Sequence, residues 1–305
     1  MARVVVFATR LMLAVGLCAL VWHLAGGDAA AKALISADPR WLAAAGLALT
    51  IQTFVCAARW QVTAAGLGIP LPRPIALREY YLSQLVNQLL PGGVLGDAGR
   101  AMRTRGAAGL IASGQAVVFE RLAGQLALLV VLVVAFAATL WAPGGLDWPD
   151  WVARPLLWAG GAALILVIGL WASRDRLPTA LRTQGTAFAR AVAARGVLQR
   201  QLALSLVATL CNIAAFGFCA WAVSAPLSIP AMLALVPLIL LSMVLPLTIA
   251  GWGVREGAAV ALLPLAGVSS ADALATSIAF GLIFLGSTLL GGTFLATVPN
   301  RRAIK

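Results

Sequence analysis

Apolar positions dominate the chain in long runs separated by short polar stretches. Six runs, at about 4–25, 41–62, 113–140, 155–173, 202–223 and 273–298, approach or exceed the roughly 20 apolar residues that cross a bilayer core. They predict membrane-spanning helices. Two further apolar regions, about 75–112 and 230–267, are interrupted midway by proline and glycine. Each predicts a pair of short helices, because backbone broken inside a membrane must line protein or a cavity. The expected fold is therefore an all-α polytopic membrane protein, with about six transmembrane helices and two re-entrant helical hairpins.

The interruptions share a register. Leu90-Pro91, Gly96 and Arg100 recur as Leu245-Pro246, Gly251 and Arg255, each 155 residues on. A helix breaker, a glycine and an arginine inside apolar sequence are each costly, and their repetition predicts a duplicated unit whose irregular backbone forms a site. Displacing the span at 113–140 by 155 residues lands on the last span. The single membrane domain, 1–305, is thus read as two repeat halves, 1–140 and 155–298, with a basic linker at 174–200.

Composition agrees. The chain of 305 residues is 62% hydrophobic and 10% charged, with a net charge of +12. The arginines fall between apolar runs, as topology signals do, which argues against nucleic acid as a partner. If each broken region returns to its own side, 17 basic residues share one face: positions 3, 10, 59, 73, 78, 100, 103 and 105, the six arginines from 174 to 200, and the tail 301, 302 and 305. Lys32, Arg40 and Arg154 take the other face with Asp28, Asp38, Asp147 and Asp150. The positive-inside rule then places both termini in the cytoplasm, and the two hairpins enter from opposite sides, an inverted-topology repeat. Residues 1–31 read as an uncleaved first helix, not a signal peptide, because the apolar run is long and more spans follow. Trp22, Trp41, Trp60, Trp141, Trp148, Trp151, Trp171 and Trp221 read as interface anchors. In the linker, Leu181, Phe188 and Val192 can share one face of a surface helix whose arginines suit anionic lipid heads.

The chemistry concentrates at the two tips. The first runs from Asn87 through Leu90-Pro91-Gly92-Gly93 to Gly96-Asp97 and Arg100; a helix should end near Leu90 and another begin near Asp97, with Asp97 as N-cap. The second runs from Leu245-Pro246 through Thr248 to Gly251-Trp252-Gly253-Val254-Arg255-Glu256. If the hairpins meet on a pseudo-two-fold axis, Arg100 and Arg255 sit near one another beside two helix N-termini, an arrangement suited to phosphate. A structural lock, with each arginine paired to Asp97 or Glu256, is the alternative. Glu120, beside Arg121, is either an interfacial snorkelling residue or a cavity-facing coupling group.

Other chemistry is excluded by residue supply. One histidine, His23, leaves no multi-histidine zinc site, and there is no nucleophile elbow or phosphate loop with its lysine. The four cysteines lie in apolar runs without metal-ligand spacing. No catalytic residue, metal or cofactor is expected, and the chain is read as a non-enzyme.

At Asn87–Arg100 and Leu245–Glu256 the chain resembles the flippase-like family, also called the lysylphosphatidylglycerol synthase transmembrane region, with the membrane half of the MprF proteins and the YbhN-type and hopanoid-associated proteins among its members. The resemblance implies lipid translocation, moving a phospholipid or other polar-headed lipid between leaflets, with anionic phospholipid, aminoacylated lipid, hopanoid and polyprenyl-linked lipid all open as substrate. Taken with the arginine pair, the expected function is a flippase or scramblase of the bacterial inner membrane for a polar-headed, phosphate-bearing anionic lipid. The expected substrate-binding residues are Arg100, Arg255, Gly92, Gly93, Gly96, Asp97, Gly251, Trp252, Gly253 and Glu256, with Glu120 for coupling. In the MprF-like relatives an aminoacyl-transferase domain follows; here the sequence ends at Lys305, so that reaction is expected to be absent. Two rival functions stay open: an ion- or proton-coupled transporter of a small anion, and a non-transporting subunit partnered with a lipid-biosynthesis enzyme. A homo-oligomer stays open too.

Overall fold

The computed structural model describes residues 2–90, 93–106, 108–141, 146–244, 248 and 250–296. Among these the fold is all-α, with twelve α-helices and no strand. Five helices are long and apolar enough to cross a membrane: α3 (Pro39–Gly66), α6 (Gly109–Trp141), α7 (Asp150–Ala172), α9 (Leu198–Ala222) and α12 (Ser270–Ala296). A sixth crossing is made if α1 (Ala2–Leu24) and α2 (Gly27–Ile35) count together. These two meet at a 91° bend. Gly26 makes that bend with φ +76°, a left-handed backbone that a side chain would oppose.

The two broken regions are helix pairs. The first is α4 (Arg73–Leu89) with α5 (Leu95–Arg103), and the second is α10 (Ile229–Ser242) with α11 (Val254–Leu262). Leu90 is extended at φ −109° and ψ 147°, the conformation forced on a residue preceding proline, so α4 stops there. Helices α5 and α11 have nine residues each, about 14 Å of length, under half of a bilayer core. Pro91, Gly92, Leu245, Pro246 and Leu247 lie outside the described residues.

Small residues hold the bundle together. The most extensive helix pair is α3 with α9, where Ala45, Ala48, Ala57, Ala208, Ala215 and Ala220 let the backbones approach. The larger apolar core gathers α9, α10 and α12 around Phe216, Leu235, Ile239 and Phe280. A smaller one surrounds Trp60 and Tyr80 beneath the first hairpin. By contrast, α7 exposes nearly its whole length, and only Val152 is buried on it.

Three expectations need correction here. The linker forms α8 (Thr179–Phe188) followed by a π turn at Ala189–Ala193, which turns Phe188 and Val192 toward the protein. Phe188 stacks edge-on against Phe119 at 5.3 Å and Val192 is buried, leaving only Leu181 exposed among the three expected lipid-facing residues. Trp60 is no interface anchor: it is 1% exposed, because it supplies an aromatic face to Arg100. Arg59, counted above as a topology charge, is buried in the same neighbourhood.

Candidate functional site

The first hairpin is organised by its own polar residues. Asp97 is not the N-cap of α5; Val94 takes that position and offers no side-chain bond. The capping acceptor comes instead from α4, where Asn87 Oδ1 accepts from the Gly96 amide at 2.8 Å. Asn87 Nδ2 donates to Asp97 Oδ2 at 3.1 Å and Ser83 Oγ donates to Asp97 Oδ1 at 2.9 Å, tying the two arms together. Gly96 is the contact point. A Cβ there would lie 2.0 Å from the Ser83 carbonyl oxygen, so only glycine permits the arms to close.

Below the tip lies a buried ion network. Glu120 is fully buried, and its Oε1 accepts from Arg59 at 3.1 Å (Nε) and 2.5 Å (Nη2), and from the Tyr80 hydroxyl at 3.2 Å. Its Oε2 accepts from Arg100 Nη2 at 2.9 Å. Arg100 Nε lies 2.9 Å from Asp97 Oδ1, close enough for attraction though not aligned as a hydrogen bond. The Arg100 guanidinium sits between the Trp60 and Tyr80 rings, at 4.6 Å and 4.7 Å from their centroids. Arg121 closes the set by pairing with Asp97 Oδ2 and donating to the Gly93 carbonyl at 3.0 Å. Three guanidiniums thus share two carboxylates, leaving one positive charge in excess.

The second tip is simpler. Arg255 pairs with its neighbour Glu256 and donates to Ser277 Oγ at 3.0 Å. Glu256 Oε2 folds back to accept from the Gly253 amide at 2.6 Å, capping α11 from within. Gly253 has φ +85° and a Cβ there would meet Leu17 Cβ at 2.6 Å, so this tip rests directly on α1. Trp252 and Phe280 flank the guanidinium at 4.9 Å and 5.5 Å.

Arg100 and Arg255 therefore do not form a joint site. Each is 1% exposed and paired within its own neighbourhood, and no described contact joins them. The physical reason is the cost of an unpaired charge away from water, which each hairpin meets with its own carboxylate. Nor are the helix N-termini open, since Asn87 and Glu256 occupy the first amides. Glu120 does not snorkel; it is the centre of the network.

Between the tips lies a polar cavity of about 430 Å³. From the expected set, Gly93, Glu120 and Gly251 line it, whereas Arg100, Arg255, Gly96, Asp97, Trp252, Gly253 and Glu256 stand behind or beside it. Gly92 lies outside the described residues. The guanidiniums at the wall are Arg59 and Arg121, and Arg121 keeps 45% of its side chain exposed. Amides from four elements complete the wall: Gln52 on α3, Gln84, Asn87 and Gln88 on α4, Gln125 on α6, and Asn212 on α9. Thr248 faces them from the second tip.

These wall residues had a sequence signal that the hairpin motifs overshadowed. Gln52, Cys56 and Arg59 recur at steps of four and three residues, as do Gln84 with Gln88 and Thr209 with Asn212. A polar stripe at helical spacing inside an apolar span marks an interior or cavity face. Tyr80 and Trp60 carried no such signal, because aromatic residues at these depths are ordinary core or interface.

A second, apolar groove of about 530 Å³ runs along the flank, lined by Leu42, Gly46, Phe54, Leu77, Leu282 and Leu290 among others from α3, α4 and α12. The polar cavity and this groove share those three helices as their partition.

No metal-ligand cluster of histidine, cysteine and carboxylate occurs among the described residues. A search of the curated proteins finds no match to the chain. A family match covers residues 4–292, almost the whole chain and both hairpins. The chain belongs to the family described as the lysylphosphatidylglycerol synthase TM region.

Proposed function

We propose that this protein moves a polar-headed, phosphate-bearing lipid between membrane leaflets, as a flippase or scramblase, and performs no covalent chemistry. The observation that carries the reading is the polar cavity between two interrupted helix pairs, with one excess guanidinium charge at its wall. A lipid head group must cross an apolar core roughly 30 Å thick, and a polar, positively charged chamber lowers that barrier for an anionic head. The apolar groove on the flank supports the same reading, since it offers acyl chains a surface beside the chamber. Membership of a lipid-named family agrees with a lipid role.

In this reading residues 1–140 and 155–298 are inverted-topology halves. Helices α1, α3, α4, α5 and α6 run in the same order as α7, α9, α10, α11 and α12. Charge asymmetry supports both termini on the cytoplasmic side of a bacterial inner membrane. Arg121 is the residue assigned to the phosphate: it is half exposed, faces the chamber, and its partner Asp97 keeps Arg100, Ser83 and Asn87 when Arg121 leaves.

The test is leaflet exchange in reconstituted vesicles. Acyl-labelled phosphatidylglycerol should become accessible to an outer-leaflet quencher far faster with protein than without. Arg121→Ala should slow exchange about tenfold or more, matching loss of a hydrogen bond to a charged group worth about 1.5–3 kcal/mol. Exchange at the protein-free rate would refute the function, and full-speed exchange by a folded Arg121→Ala would refute the phosphate assignment.

A further inference from the structure

We infer that the chamber selects a head group that is anionic at phosphate and also rich in hydroxyls, and that it rejects lipids bearing an added ammonium group. This deepens the head-group reading above and rests on it.

Charge supplies the first argument. Glu120 is the only acidic residue among the described residues lining the chamber, and both its oxygens are taken by Arg59 and Arg100. The tip positions outside the description, 91, 92, 245–247 and 249, hold proline, glycine, leucine and isoleucine, so they add no carboxylate. An ammonium entering the chamber would find an excess guanidinium and no free counter-charge. Discrimination by such repulsion is as effective as added attraction.

Unfilled hydrogen-bonding groups supply the second. Gln88 Nε2 and Thr248 Oγ1 are buried without a partner, on residues 8% and 2% exposed, and Gln125 Oε1 is likewise unpartnered. All three residues line the chamber. They offer a donor, an acceptor and a hydroxyl that can be either. A hydroxyl of the ligand both donates and accepts, so a polyol can satisfy all three, whereas an ammonium only donates and leaves Gln88 unfilled. Leaving such buried groups unpaired is what separates a matched ligand from an unmatched one.

Two lipid sources share this chemistry: a glycerol head on a phosphodiester, and a sugar carried on a polyprenyl phosphate. Lysylphosphatidylglycerol, the lipid in the family's description, keeps the phosphate but adds ammonium groups, and is the discriminating probe.

The experiment measures binding of the full chain in detergent, separately from transport. Four probes are used: phosphatidylglycerol, a polyprenyl-phosphate hexose, phosphatidylethanol (phosphodiester without a head-group hydroxyl) and lysylphosphatidylglycerol. At least one hydroxyl-bearing anionic lipid should bind tenfold or more tighter than lysylphosphatidylglycerol, and several-fold tighter than phosphatidylethanol. Which of the two binds tighter identifies the source. Gln88→Leu with Thr248→Val should erase the advantage over phosphatidylethanol while keeping that over lysylphosphatidylglycerol. Equal or tighter binding of lysylphosphatidylglycerol by the wild-type chain overturns the inference, as does a phosphatidylethanol affinity matching both hydroxyl-bearing lipids. These wild-type comparisons stand even if the double variant fails to fold. Selective binding without exchange in vesicles would contradict translocation alone, and exchange without selectivity would contradict this inference alone.

Discussion

Replacing Glu120 by glutamine should cost the protein a large part of its stability. The carboxylate is fully buried and accepts from two guanidiniums and a phenol, so its loss leaves Arg59 and Arg100 facing each other with one neutral amide between them. Removing one partner of a buried ion pair costs about 3–5 kcal/mol, mostly because the remaining charge is uncompensated. Asp97 still attracts Arg100, which moderates the loss on that side, but Arg59 has only Ser205 Oγ at 3.5 Å and the Cys56 sulfur in reserve. At about 2–4 °C per kcal/mol, the midpoint of thermal unfolding should fall by roughly 6–20 °C. The ten tryptophans give the signal for this measurement in detergent. Arg121→Gln is the internal comparison: its side chain is 45% exposed, and exposed pairs contribute about 1 kcal/mol or less, so its midpoint should move by under about 4 °C. A Glu120→Gln shift no larger than that of Arg121→Gln would refute the network as the anchor of the first hairpin. A double-variant cycle sharpens the point: with Arg59→Met already present, Glu120→Gln should cost clearly less than it does alone.

Gly96→Ala places a Cβ 2.0 Å from the Ser83 carbonyl, so the hairpin arms must separate at a cost of about 1–3 kcal/mol, read as a lower unfolding midpoint. Gly114→Ala is the contrast, with no heavy atom within 4 Å of the new Cβ and a better helix former in α6, and its midpoint should stay level or rise. Gly281→Ala puts a Cβ 2.3 Å from Arg255 Nη2 and 2.8 Å from the Trp252 ring, and should loosen the second tip. Faster modification of Cys18, which stands against that tip on α1, would report the loosening.

Much of the fold is legible in the sequence because a membrane makes the rules strict. Apolar runs gave the spans to within a few residues, and Leu90 before Pro91 ended α4 as steric exclusion requires. The first span reads as ending near residue 25, where α1 ends, but the short helix α2 beyond the Gly26 bend does not show, since nine residues after a span read as a loop between spans. At the site, the sequence locates both tips and their charged residues, and the pairing of Arg100 with Asp97 and of Arg255 with Glu256 is among its alternatives. Asp97 three residues before Arg100 invites an N-cap, and nothing local reveals that Asn87 caps the helix instead or that Glu120 reaches Arg100. Those contacts join residues 9 and 20 positions apart through tertiary packing. The excess charge at the chamber wall, the feature on which the function rests, depends on counting three arginines against two carboxylates drawn from three helices. Local pattern cannot do that counting.

The central claim is that the head group passes through the chamber between the hairpin tips, and a reversible plug tests it most directly. Val94 lines the chamber and is 53% exposed, so a cysteine there is reachable once the four native cysteines are replaced. Exchange of acyl-labelled phosphatidylglycerol should proceed normally in Val94→Cys vesicles. It should stop when a bulky thiosulfonate adduct fills the chamber and return when the adduct is reduced off. Unchanged exchange with the adduct in place would contradict the route and, with it, the function proposed for the cavity.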